Sequence, residues 1–202
     1  MSNSPADRVL RLPPAHLSGT LIPRTRQPAR NWFRVHRWGH SASSFSLDTN
    51  HRYSHKACPY PLLYLGVDID TCLFERFGDK AYDNQKSVPQ SLWTAHCVST
   101  VQVPEIHVCD LTSAKTLSAL LVNLGALMHT EVAAPQEWGL AIQLHHANFQ
   151  AIKFRSRFNG KICLALFQRD SIHEHLRETL LDTLPNNDTA VDWLDRHQVG
   201  LY

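Results

Sequence analysis

The run PLLYLGVDIDTCLFERFG, residues 61–78, constrains the fold more than any other part of the chain. Leu62, Leu63 and Leu65 give a short apolar strand. The acidic turn that follows interrupts it, and an apolar-spaced stretch then reads as a short helix. Asp70 is the expected helix N-cap and Gly78 the expected C-terminal stop. Two residues stand out against pure packing. Tyr64 is a phenol inside the strand, and Glu75 is a carboxylate set among Phe74 and Phe77. A strand-to-helix unit that carries both groups must find room for each.

The rest of the chain supplies elements of both kinds. NWFRVHRW is compatible with a strand, and the Ser-, His- and Asn-rich residues 39–61 read as a long loop of the sort that carries function. SLWTAHCVSTVQVPEIHVCDL gives one or two strands. Apolar residues at 117, 120, 121, 124, 127 and 128 form a one-sided stripe that predicts a single core helix. A further helix is expected from near Pro135. AIKFRSRFNGKICLALFQRD reads as strand, NG turn and strand, and SIHEHLRETLLDTL as a last amphipathic segment. Strands and helices mix without strict alternation, which makes the class α+β. Residues 1–30 hold Pro5, Pro13, Pro14, Pro23 and Pro28 among polar residues and are expected to form a flexible lead-in to a domain over 31–202.

A formal net charge of +2 gives no argument for a nucleic-acid or membrane surface. No apolar run has the ~20 residues a membrane span needs, and the N-terminus lacks a signal-peptide core. The five cysteines, at 58, 72, 97, 109 and 163, include no CxxC pair, so reduced core-filling thiols in a cytoplasmic protein are expected. The thirteen histidines cluster in HRWGH, HRYSH, LHHAN and IHEHL, but none at metal-ligand spacing, and no metal site is expected. There is no GxGxxG and no GxxxxGK[ST].

What remains as candidate chemistry is a set of arginines, one glutamate, one tyrosine and one serine. Arg34 sits in an aromatic and apolar stretch, Arg52 in the long loop, and Arg155 and Arg157 flank Ser156. A guanidinium grips phosphate oxygens with two bonds, although each of these also suits a surface arginine with a buried stem.

Taken in order, several blocks resemble the RES domain, a bacterial family named for its Arg, Glu and Ser. WFRVH resembles its opening strand with Arg34. FSLDTNHRYS resembles the block with a second arginine before an aromatic, here Arg52 and Tyr53. PLLYLGVDIDTCLFERFG resembles the tyrosine strand and glutamate helix, giving Tyr64 and Glu75. VCDLT, EWGLAIQLH and AIKFRSRFNGKICLALFQR resemble the remainder, with Ser156 in the serine strand. The similarity extends from about Asn31 to about Asp170. His51 and Ser54 stand where the family often has Gly and Asn.

The resemblance implies an ADP-ribosyltransferase-like fold, a mixed or antiparallel β core with surrounding helices. It implies cleavage of the nicotinamide–ribose bond of NAD⁺, with NAD⁺ as substrate and water or inorganic phosphate as acceptor. Glu75, Arg34 and Tyr64 would be catalytic. Arg34, Arg52, Tyr64 and Ser156 would hold the dinucleotide. The implied setting is a type II toxin–antitoxin pair, with a helix-turn-helix antitoxin as partner; self-association is left open. The alternatives are transfer of ADP-ribose to a protein and a non-catalytic anion-binding module.

Overall fold

A computed structural model describes residues 10–81, 86–129 and 132–202. Its centre is an eight-stranded mixed sheet in the order β1-β6-β7-β8-β3-β2-β5-β9. The strands are β1 (Thr25–Gln27), β2 (Arg30–Arg37), β3 (Leu62–Gly66), β5 (His96–Val103), β6 (Ile106–Asp110), β7 (Ala151–Arg155), β8 (Ile162–Phe167) and β9 (Arg177–Thr183). All neighbours run antiparallel except β6 and β7. Two further strands, β4 (Ser87–Val88) and β10 (Gly200–Leu201), pair with each other in parallel.

Alternation along the central strands explains why the sheet is covered on both sides. On β8, Cys163, Ala165 and Phe167 join one core cluster, while Leu164 and Leu166 join the other. On β3, Leu62 belongs to the first cluster, and Leu63 and Leu65 belong to the second. The first face is covered by α3 (Ala114–Leu120), α4 (Leu124–His129) and α5 (Ala133–Gln143). The second face packs Trp32, Ala42, Ile172 and Leu176, the last two from around the short α6 (Ile172–His175).

A third cluster is built around α1 (Ile69–Ala81), α2 (Gln90–Thr94) and α7 (Asp188–His197). Leu73, Phe74 and Phe77 of α1 meet Trp93, Leu184 and Trp193 there. At the start of α1, Asp68 rather than Asp70 is the cap. Its Oδ1 accepts from the Thr71 N–H at 2.8 Å and from the Thr71 hydroxyl at 2.6 Å. Asp70 lies inside the first turn and takes both terminal nitrogens of Arg196, tying α1 to α7. Gly78 does not end the helix either. A Cβ there would come within 2.7 Å of the Phe158 ring, so the glycine marks close approach and not a stop.

Two further expectations are corrected. The stripe over 117–128 is two helices, because Leu121 adopts φ 56° and ends α3; its side chain points to solvent at 88% exposure. The lead-in is packed over its described part, residues 10–30. Leu10, Leu17 and Ile22 are buried in the first cluster, β1 extends the sheet, and residues 1–9 lie outside the described residues. The LHHAN histidines hold this segment down, with His145 Nε2 at 2.9 Å from the Thr20 carbonyl oxygen and His146 bonded to that of Ser18. The segment SIHEHLRETLLDTL becomes α6 and the edge strand β9. No helix among the described residues is long and apolar enough to cross a membrane.

Candidate active site

The sheet is nearly split in two. Whereas β2 pairs with β5 along eight residues and β3 with β8 along five, β2 and β3 meet only at Phe33 and Gly66. Where they part, a cavity of about 400 Å³ opens, a size in the range of small-molecule sites. Its walls are β2, β3, α1 and the 39–61 loop. Arg34, Arg52, Tyr64 and Glu75 all line it. The sequence candidates from four separate elements thus share one space.

Glu75 reaches the cavity from α1. The helix is fixed at its N-terminus by the turn after β7, through Lys161 Nζ on Asp68 Oδ2 at 2.7 Å and Asn159 Nδ2 on Thr71 Oγ1 at 3.2 Å. That same turn begins at Ser156, whose hydroxyl donates to Glu75 Oε1 at 2.6 Å and accepts the Phe158 N–H at 3.3 Å. Ser156 is fully buried and does not line the cavity; its hydroxyl sets the Glu75 carboxylate. Glu75 is open to solvent through the cavity mouth but crowded elsewhere. Loss of hydration raises its pKa, opposed by the Ser156 hydrogen bond and by the fields of Arg52 and Arg157. No cation among the described residues pairs with it.

Tyr64 is held as a ring. Its oxygen accepts the Tyr53 N–H at 3.0 Å and lies 3.2 Å from Ser54 Oγ. Burial pushes the phenol above its usual pKa, so it stays protonated near neutrality. The His51 ring sits 5.0 Å away and is tilted by 38°. The two departures from the family pattern, His51 and Ser54, thus both contact Tyr64.

The loop segment beneath depends on α5. A Cβ on Gly139 would lie 2.2 Å from the Tyr53 carbonyl oxygen, so only glycine admits the backbone that carries Arg52. Gln136 donates to the Thr49 and His51 carbonyls from the same helix.

The two cavity arginines differ. Arg34, which lines the cavity, donates from Nη1 to the carbonyls of Ala42, at 2.7 Å, and Ser44, at 2.9 Å. Burial lowers its pKa to about 10, so it stays charged at neutral pH. Arg52 Nη2 is shielded from solvent and has no hydrogen-bond partner among the described residues. Arg155 and Arg157, by contrast, bond Gly160 and Asp79 and do not line the cavity.

Sequence reasoning missed Arg76, His36 and His96, which also line the cavity. Arg76 is next to Glu75, and a helical reading alone would have sent it to solvent. Among the described residues no group of three or more His, Cys, Asp or Glu is placed to hold a metal ion. All five cysteines are buried and unpaired.

The mixed sheet with flanking helices and a cleft at its seam is an α+β fold, consistent with the ADP-ribosyltransferase-like core that the resemblance implies. The RES domain family model matches residues 28–185, and the chain belongs to that family. No curated protein matches the chain in sequence. Among solved structures, the chain is similar to one from the crystal structure of the M. tuberculosis MbcT–MbcA toxin–antitoxin complex. The TM-score is 0.57 with 16% identity, over 87% of this chain and 93% of that one.

Proposed function

We propose that the chain cleaves the nicotinamide–ribose bond of NAD⁺ and acts as the toxin of a two-component pair, restrained by a helix-turn-helix antitoxin. The observation that carries the chemistry is the position of Glu75. A carboxylate that no cation pairs with among the described residues faces the same cavity as Arg34, Arg52 and the Tyr64 ring. A site built only to hold an anion gains nothing from a negative group at its centre, which counts against a non-catalytic anion-binding module.

Bond breaking gives the bonding electrons to nicotinamide, which leaves neutral and needs no acid. The ribose carbon becomes cationic, and the fixed Glu75 carboxylate stabilises that charge. The Tyr64 ring orients the pyridinium by stacking, and Arg34 and Arg52 hold the pyrophosphate. Water then adds to the ribose carbon and loses a proton, giving ADP-ribose; orthophosphate as acceptor gives its 1″-phosphate. Membership of the RES family and the fold shared with a toxin crystallised with its antitoxin support the biological setting.

The test is release of nicotinamide from NAD⁺ by the purified chain, with Glu75→Gln alongside. The expected result is stoichiometric release by the wild type and a loss of about 1,000-fold or more in the variant. A folded wild type that leaves NAD⁺ intact, or a variant equal to it, overturns the proposal.

A further inference from the structure

The cavity carries more cationic character than Arg34 and Arg52 supply. Glu75 is the only carboxylate among its lining residues, whereas Arg37 and Arg76 also face it. Arg76 has the more defined setting of these two. Its Nε donates to His96 Nε2 at 3.0 Å. His96 is buried, and its Nδ1 lies 2.6 Å from the Leu92 carbonyl oxygen. A carbonyl can only accept, so the Nδ1 carries the proton and Nε2 offers a lone pair to Arg76. His96 is therefore a neutral ring that aims the guanidinium without neutralising it.

This geometry has a consequence for ligand choice. The Nε of Arg76 is used, and neither terminal nitrogen is hydrogen-bonded to the described residues. Those two form the edge that grips a pair of oxygens on one phosphorus. Partial loss of water lowers the Arg76 pKa, and among the described residues no salt bridge to an acid offsets it. A cation so placed, exposed at the cavity surface, is available to an anion from outside the chain. We propose that Arg76, aimed by His96, is a further phosphoryl-oxygen-binding residue of this cavity, additional to Arg34 and Arg52. The proposal rests on reading the cavity as an NAD⁺ site. The oxygens belong either to the pyrophosphate of the dinucleotide or to free orthophosphate, two sources of one chemistry.

Binding is measured by calorimetry on the full chain, with ADP-ribose and with orthophosphate as separate probes, for wild type, Arg76→Met and Arg76→Lys. Arg76 lies at the cavity surface, so both variants are expected to fold, and melting curves verify this. Arg76→Met is expected to weaken one probe by about 10-fold or more. Arg76→Lys should recover only part of that, because an ammonium keeps the charge but loses the fork. Weakening of ADP-ribose assigns Arg76 to the pyrophosphate, and weakening of orthophosphate assigns it to a free ion. If the wild type binds ADP-ribose and folded Arg76→Met binds both probes equally well, the Arg76 proposal falls while the NAD⁺ reading stands. If the wild type binds neither probe, the Arg76 proposal falls, and the NAD⁺ reading falls with it only if nicotinamide release is also absent.

Discussion

Two carboxylates in this molecule are treated in opposite ways. At the end of β6, Asp110 is almost buried and fully answered. Lys153 Nζ lies 3.2 Å from its Oδ2, and the Thr112 N–H and hydroxyl both donate to its Oδ1. At the seam between β2 and β3, Glu75 is crowded by protein yet receives one neutral hydroxyl, that of Ser156. The first arrangement satisfies a charge so that the parallel β6–β7 pair can close over it. The second leaves a charge available to something not part of the chain. Protein interiors neutralise acids by default, so an acid left short of partners in a cleft is a functional signal.

The sharpest way to break this contrast is to remove each charge in turn. Glu75→Gln should abolish nicotinamide release, by the ~1,000-fold or more given above, without loss of thermal stability. Asp110→Asn should do the reverse. It strands Lys153 and is expected to cost about 2 kcal/mol in denaturant unfolding, while the KM and kcat for NAD⁺ stay close to wild type. A fall in activity beyond that explained by unfolded protein would erase the distinction between the two sites.

Ser156→Ala sharpens the comparison from within. Glu75 loses its only hydrogen-bond donor among the described residues and its orientation, and kcat is expected to drop about 10-fold with KM little changed. The pH profile comes next. Because loss of hydration raises the Glu75 pKa, cleavage should decline on acidification at a pH above the ordinary carboxylate range. The same shift has a stability sign. A raised native pKa contributes stability that is full below the unfolded pKa and lost as pH rises through the native one. Glu75→Gln should therefore melt slightly above wild type at neutral pH, with the gap closing in acid.

The smallest effect is expected from Glu178 on β9. Its Oε2 accepts from Ser41 Oγ and the Ser43 N–H, each at 2.7 Å. That clamps the turn whose carbonyls hold Arg34. Glu178→Ala should raise KM for NAD⁺ about threefold, and should do nothing further in an Arg34→Lys background.

The strand-to-helix unit with Tyr64 and Glu75, the β7–β8 hairpin and the loop with Arg52 were legible because each combines a periodic apolar pattern with a polar group that the pattern does not need. The corrections have the same physical origin in reverse. An apolar stripe says nothing of a backbone that turns left-handed at Leu121. Leu10, Leu17 and Ile22 are spaced among prolines without a period, so composition could not foretell that the sheet face would accept them. The helix α7 was not anticipated, although Asn187 caps it through the Ala190 N–H and Trp193 fills the core behind α1. Arg76 was invisible because its significance lies in His96, twenty residues away at the start of β5.

The single rung at Phe33 and Gly66 leaves two laced halves of sheet joined at one point. Across the gap they are bridged by α1, whose Cys72 thiol donates to the Phe33 carbonyl at 3.1 Å, and by the span of residues 39–61, tethered to Gln136, Arg34 and Glu178. The candidate groups are thus divided between the halves, Arg34 on one and Tyr64 on the other, and the opening between them has the shape that these bridges give it.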